Sequence, residues 1–261
     1  MQDLITSRDN PLFKRLKKLV ESARERRQTR MTLLDGEHLI GAYLDAGGVP
    51  QTLIHAASCS DAVWQPLFTR CAQAKTITLA DALFAELSPV ASPTGLLAEA
   101  AWLSPPAPAN TPLVVVLEEI QDPGNLGAML RTAAAAGATL AVLSKGCHDP
   151  WSPKALRGGQ GAQFVLPMLT GIELLNWLAE FRGVSVALAL GEKNDFYKQN
   201  LRGALAIIAG NEGAGLSQAV IEAASVVAQI PMSGKVESLN ASAALAVAVF
   251  EAVRQRKLPS R

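Results

Sequence analysis

A carboxylate stands where turn chemistry would not choose one. The stretch IIAGNEGAGLS, residues 207–217, runs a buried apolar strand into Gly210-Asn211-Glu212-Gly213-Ala214-Gly215. Its glycines permit positive φ and let a ligand approach the backbone closely. Glu is a poor turn residue, so the position calls for the charge of Glu212. The glycine order is GxxGxG, not the GxGxxG of a dinucleotide fingerprint, and no basic residue follows as in a P-loop. A second candidate is EEIQDPGNLGAMLRTAAAAGA, residues 118–138. Asp122-Pro123-Gly124 is turn chemistry. Asn125 then precedes a helix that it could cap. Arg131 falls within the early turns of that helix and can point back toward the loop. The plain alternatives are an N-cap for Asn125 and a surface ion pair for Arg131. The third candidate is the passage before the last helix, where Ser238, Asn240 and Ser242 crowd together. One such side chain satisfies a helix start; the surplus points to groups that face a ligand. A fourth passage, SPKALRGGQGAQFVLP (residues 152–167), reads as a Gly-rich loop carrying Lys154 and Arg157, then a strand. Cations on such a loop suit a polyanion backbone, and surface solubility is the alternative.

These passages sit between apolar strands. PLVVVLEEI (112–120), TLAVLS (139–144), VSVALAL (184–190), ALAIIAG (204–210) and VVAQIPM (226–232) are near-continuous hydrophobic runs, with helices between most of them. Leu126 to Gly137 reads as one such helix. Runs of this kind indicate a parallel sheet covered on both faces. Ligands of such sheets bind outside the carboxyl ends of the strands. The loops after Ile120, Ser144, Ile208 and Ile230 are therefore where chemistry is expected.

The proline-rich stretch LSPPAPANTP, Leu103 to Pro112, denies helix and reads as an extended linker. It divides the chain into 1–103, a linker at 104–112, and 113–261. The first part alternates helix (Pro11 to Arg30, Glu37 to Ala46, Trp64 to Ala74) with strand (Met31 to Asp35, Gln51 to Ala56, Lys75 to Ala80), a small α/β sandwich. Its start is basic, with Arg8, Lys14, Arg15, Lys17 and Lys18 among nine cations set against Asp3, Asp9, Glu21 and Glu25. Such a run is compatible with phosphate contacts; a solvated helix face is the plainer reading. At 49% hydrophobic and 18% charged residues, the chain can bury a real core and is not disordered. Three scattered cysteines and three distant histidines argue against zinc and against a disulfide framework. No signal peptide or membrane span is read, and a reducing cytoplasm is the simplest compartment.

Taken together, NLGAMLRTAAAAG, IIAGNEGAGLS and IPMSGKVESLNASAALAVAVFEAVRQR resemble, in order, the three motifs of the SpoU/TrmH family of RNA ribose 2′-O-methyltransferases, within the SPOUT class. SPKALRGGQGAQFVLP resembles the passage between the first two. ITSRDNPLFKRLKKL and TLLDGEHLI are similar, more loosely, to the L30e-like substrate-binding domain that many members carry. The resemblance implies an α/β fold: a parallel-sheet SPOUT domain with a C-terminal trefoil knot, an exception to the rule that connections do not thread, plus a small N-terminal L30e-like domain. It implies S-adenosylmethionine as cofactor, held at Gly210, Ile230 and Leu239. It casts Asn125, Arg131, Glu212, Ser238 and Asn240 as catalytic or substrate-positioning residues. Lys154, Arg157, Arg8, Lys14 and Arg15 are the candidate RNA contacts. The expected activity is methyl transfer to a ribose 2′-hydroxyl of structured RNA, ribosomal or transfer, by a homodimer. A non-catalytic RNA binder and a base-nitrogen methyltransferase are the rivals. Ala241-Ser242-Ala243 departs from the commoner Val-Ser-Val, and only a packing change is expected from it.

Overall fold

A computed structural model describes residues 4–88, 90, 93–191, 194–234 and 236–257. Asp3 of the charged N-terminal stretch and Lys235 of the last loop lie outside them. No helix among the described residues is long and apolar enough to cross a membrane. The chain forms two compact units. One is Met1–Leu103 with Asp149–Val165; the other is Ser104–His148 with Leu166–Arg261.

The first unit begins with β1 (Leu4–Ile5), α1 (Pro11–Glu21), α2 (Ala23–Thr29), β2 (Met31–Asp35), α3 (Glu37–Asp45), β3 (Thr52–Ala56), α4 (Asp61–Arg70), β4 (Lys75–Leu79), α5 (Asp81–Leu87) and β5 (Leu96–Ala101). Its sheet has the order β1-β4-β3-β5-β2. The first three are parallel, and β5 runs antiparallel to both β3 and β2. Phe13, Leu16 and Leu19 recur on one stripe of α1 and join Leu33, Ile54 and Leu79 in the core. The single helix expected over Pro11 to Arg30 is broken at Ser22. That residue is extended (φ −117°, ψ 108°), and its Oγ accepts from Glu25 N at 3.1 Å, so one residue ends α1 and caps α2. The break also turns Arg26 inward. Its Nη1 donates to Leu19 O (2.6 Å) and Val20 O (2.9 Å), satisfying carbonyls at the end of α1.

The second unit opens with β6 (Leu113–Leu117), α6 (Pro123–Ala135) and β7 (Leu140–Ser144). The chain then contributes α7 (Pro153–Gly159) and α8 (Ala162–Val165) to the first unit. It continues as β8 (Met168–Ile172), α9 (Leu174–Glu180), β9 (Val184–Leu188), β10 (Leu205–Ala209), α10 (Gln218–Ala223), β11 (Val226–Ala228) and α11 (Ala241–Lys257). All six strands are parallel, in the order β11-β9-β10-β6-β7-β8. The Ala-rich α11 buries Leu245, Ala248, Val249 and Ala252, and it packs against α6 and β10.

Two expectations need correction. Lys154 and Arg157 sit on a helix, α7, not on a Gly-rich loop. Ser152 caps it, with Oγ accepting from Ala155 N at 3.3 Å, and Pro153 takes the first turn, where its missing N–H costs nothing. Phe164 and Val165 are helical, and the following strand begins only at Met168. The buried Gln163 side chain donates to Pro150 O (3.2 Å) and Ala155 O (3.1 Å), which ties the turn to α7 instead of to a sheet.

Candidate functional site

The carboxyl ends of the neighbouring strands β10, β9 and β11 open on a cavity of about 190 Å³. Leu188 and Leu190, Ala209 and Ala228, Ile230 and Leu239 give it apolar walls; Glu212 and Ser238 also line it. This is where a parallel sheet offers space, because the loops leave its edge there. The loop after β9 was not among those expected to carry chemistry, yet Leu188, Ala189 and Leu190 form part of the wall. Gly210 marks a close crossing of backbone. A Cβ there would lie 2.4 Å from Gly215 O and 2.6 Å from Leu216 N, so no larger residue fits without moving the chain.

The turn after β10 is specified by Asn211. Its backbone pairs with Gly215 in both directions, N to O at 2.9 Å and O from N at 3.0 Å. Its Oδ1 accepts from Gly213 N (2.8 Å) and Ala214 N (2.9 Å), and its Nδ2 donates to Glu119 O (2.9 Å). This Asx geometry closes the turn and leaves Glu212 at its tip without a structural duty inside it. Asn at the head of a Gly-rich turn is the signal that could have found it.

Glu212 instead meets Asn125. Asn125 Nδ2 donates to Glu212 Oε1 at 3.0 Å, and Asn125 Oδ1 accepts from Asn240 Nδ2 at 3.3 Å. One amide thus joins the first turn of α6 to two loops that are far apart in sequence. Asn125 is free to do so because Asp122 caps α6, taking Asn125 N on its Oδ1 at 2.8 Å. The helix starts at Pro123 and not after Asn125; an Asp followed by Pro is the helix-start signature. Asn240 has a double role. Its Oδ1 takes Ser242 N (2.9 Å), Ser242 Oγ (2.6 Å) and Ala243 N (3.3 Å), capping α11, while its Nδ2 reaches across to Asn125. A further tie comes from Glu118, whose carboxylate accepts from Ser217 N (2.8 Å) and Ser217 Oγ (2.6 Å). It fixes the end of β6 to the start of α10.

Gly210, Ile230, Leu239, Glu212 and Ser238 therefore share one cavity, and Asn125 and Asn240 are bonded to its rim. Arg131 is not brought into this set. It is exposed on α6, and among the described residues it makes no hydrogen bond or ion pair. Lys154 and Arg157 belong to the other compact unit. There Arg157 faces the buried Asp35 at 3.5 Å, and burial raises the Asp35 carboxyl above the usual range against the pull of Ser88 and Arg157. Arg8, Lys14 and Arg15 are each held by a carboxylate: Glu86, Asp9 and Glu99. Near the sheet edge, burial pushes the Cys147 thiol up, and its Sγ donates to Leu117 O at 3.2 Å. It is a neutral donor there, not a nucleophile.

The family model described as SpoU rRNA Methylase family matches residues 112–250. A second, the MRM3-like substrate binding domain, matches residues 10–98. The chain is similar to the 23S rRNA (guanosine(2553)-2′-O)-methyltransferase RlmP of Bacillus subtilis, at 30% identity over 94% of this chain and 97% of that protein. Among solved structures it resembles an RNA 2′-O ribose methyltransferase, at 33% identity and TM-score 0.85, covering 98% of this chain and all of that one. It also resembles an S-adenosylmethionine-bound rRNA methyltransferase from Sinorhizobium meliloti, at 25% identity and TM-score 0.82, with 97% of each chain covered.

Proposed function

Because the chain belongs to the SpoU rRNA methylase family, we propose that it transfers a methyl group from S-adenosylmethionine to a ribose 2′-hydroxyl of ribosomal RNA. The observation that carries this reading is the Asn125 amide, bonded at once to Glu212 and Asn240 on the rim of an apolar cavity. The name of the RlmP relative supports guanosine as the methylated nucleoside.

The cavity fits the cofactor. Gly210 lines it where the backbone crosses close to Gly215, and its walls are largely aliphatic. Bound there, S-adenosylmethionine supplies an electrophilic methyl on a sulfonium whose charge vanishes during transfer. Aliphatic walls such as Ile230 and Leu239 solvate a charge poorly and favour its loss. Asn125 holds Glu212 and Asn240 in one orientation, so that incoming groups meet a preorganised rim. Ser238 adds a hydroxyl on the same wall. A guanidinium offers five donors and no acceptor, so Arg131 is not assigned as the base. Its role is to stabilise the developing alkoxide and to fix the neighbouring phosphate. The proton leaves to water or to phosphate.

Arg131 has no partner in its own chain among the described residues. We assign it to the site of a second copy, in a homodimer. The 49% exposed Phe250 on α11 supports an apolar contact there. The C-terminal segment, with small residues over 241–248, is proposed to thread a loop as a trefoil knot. The boundaries 1–103, 104–112 and 113–261 are kept as the functional division, with 149–165 lent to the first part. Thiols instead of disulfides at Cys59, Cys71 and Cys147 suit a cytoplasmic enzyme.

The test is incubation with methyl-labelled cofactor and ribosomal RNA, followed by digestion to nucleosides. Label on ribose is expected. Label on a base, or none at all, favours the base methyltransferase or the pure RNA binder. Arg131→Ala should lower transfer by roughly 10²–10³-fold, the scale of a lost transition-state donor, while cofactor binding stays unchanged. Undiminished transfer by that variant would remove this mechanism.

A further inference from the structure

The first unit treats its cations unequally. Along α1 and just before it, Arg8 and Lys17 share Glu86, Lys14 holds Asp9, and Arg15 holds Glu99. The exposed cations of α2 are different. Among the described residues Arg24 and Arg30 meet no carboxylate, and Arg27 donates only to Ala23 O within its own helix. Arg26 is the exception, buried on Asp149 at 2.7 Å. Three uncompensated cations therefore cluster at α2 and its C-cap, while Lys18 and Lys75 stand singly elsewhere on the unit.

At that C-cap the charge meets an aromatic stack. Trp102 lies parallel to the buried Trp151, with centroids 5.0 Å apart and planes 12° apart. Trp151 continues to Phe164 at 6.5 Å, and Phe164 meets Tyr43 edge-on at 5.2 Å. The Arg30 guanidinium lies over the Trp102 ring, 5.1 Å from its centroid. Trp102 Nε1 is buried without a hydrogen-bond partner among the described residues, so stacking alone orients the indole. Arg30 itself is left-handed (φ 56°), an uncommon state for a non-glycine residue. Its carbonyl is held by Trp102 N at 2.8 Å. The outermost layer of an ordered stack is thus an exposed planar cation.

We propose that Arg30, backed by Trp102 and Trp151, is a platform on which the first unit stacks an unpaired RNA base, while Arg24 and Arg27 take the flanking phosphates. A planar guanidinium accepts any base face and attracts the adjacent phosphate, the pairing of stacking and charge by which single-stranded RNA is held. The plainer role of α2's cations, complementing the helix C-terminus, would not need the guanidinium laid on an indole. The proposal rests on RNA being the substrate, and it names where the RNA is gripped away from the cavity.

Binding of the full chain to two labelled RNAs tests it: a hairpin with a seven-adenosine loop (about seven, chosen to leave bases unpaired) and its stem as a blunt duplex. Arg30→Ala should weaken the hairpin by roughly 5–150-fold, the range for one stacked base. Arg30→Lys, which keeps charge but loses the plane, should not restore it. Arg24→Ala/Arg27→Ala should weaken hairpin and duplex alike and lower the salt dependence. Arg30→Asn, tolerated in the left-handed region, guards against misfolding and should behave as Arg30→Ala. Unchanged hairpin affinity in Arg30→Ala, full rescue by Lys, or no hairpin preference in the parent chain overturns the platform. Methyl transfer to ribosomal RNA is read separately, so loss of this proposal leaves the assigned activity standing or falling on its own assay.

Discussion

On α1 most of the cations find carboxylates; at the strand ends of the second unit the polar groups find one another. Glu86 alone takes Arg8 and Lys17, and these cations hold its carboxyl below the usual range, with the hydrogen bond from Arg8 the largest cause. Of the cations on α1, only Lys18 is left without a carboxylate among the described residues. In the second unit, Asn125 spends one donor and one acceptor on Glu212 and Asn240, all at the mouth of a cavity. The difference separates charge mostly used up on the surface from polarity gathered at the mouth of one cavity. A count of polar residues would rank α1 higher as a binding face, but the partners of those residues reverse that order.

The sharpest way to break this comparison is at Gly210. Gly210→Ala places a methyl 2.4 Å from the Gly215 carbonyl. Overpacking of this kind costs about 1–3 kcal/mol, and cofactor affinity by calorimetry should fall roughly 5–150-fold, since 1.4 kcal/mol is a factor of ten. Normal affinity would show that the crossing is looser than its geometry. Next in size is the loss of a partner for a buried carboxylate. Glu99 is 1% exposed and takes both Arg15 Nη2 (2.8 Å) and Thr52 Oγ1 (2.9 Å). Arg15→Ala should cost about 1–3 kcal/mol in urea unfolding. Lys14→Ala, in an exposed pair with Asp9, should leave the urea midpoint nearly unchanged. Equal costs would erase the distinction between a pinned cation and a decorative one.

A smaller effect is expected at the rim itself. In a double-mutant cycle, Asn125→Ala and Glu212→Gln should show a coupling of about 0.5–1.5 kcal/mol in transition-state free energy, in keeping with one hydrogen bond. Additive losses would mean that the amide does not hold the carboxylate during turnover. The subtlest prediction concerns pH. Burial raises the Asp35 carboxyl, so its neutral form is favoured in the folded state. Its stabilising contribution is full below the ordinary carboxylate pKa and is lost as pH rises through the raised value. The stability of Asp35→Asn relative to the parent chain should therefore climb between acid and neutral pH, as followed by thermal unfolding. A flat difference would indicate that Ser88 and Arg157 fully offset the burial.

Much of the second unit was legible because its strands are unbroken apolar runs. Leu113–Leu117, Leu140–Ser144 and Leu205–Ala209 each fall within the stretches read from hydrophobicity. What escaped has physical causes. β5, Leu96–Ala101, carries Ala and a buried Glu, types that are depleted in strands, and its place is set by antiparallel neighbours that local sequence does not announce. The break at Ser22 hides inside a continuous amphipathic pattern, because the residue that ends one helix also begins the next. β11 is only three residues long, since the chain departs from the sheet at Gln229, well before Pro231. At the site, Glu212 could be flagged as out of place in its turn, but its partner Asn125 lies 87 residues away, and no local rule predicts such a bond.

The segment Asp149–Val165 gives the first unit Trp151, Phe164 and the carboxylate that neutralises Arg26. A ribosome makes these residues only after β6, α6 and β7 have been synthesised. The N-terminal unit therefore cannot close as it emerges, and until residue 165 is made the nascent chain must carry an exposed Trp102 and an uncompensated Arg26. Vectorial synthesis makes the two halves mature together, although Met1–Leu103 comes first.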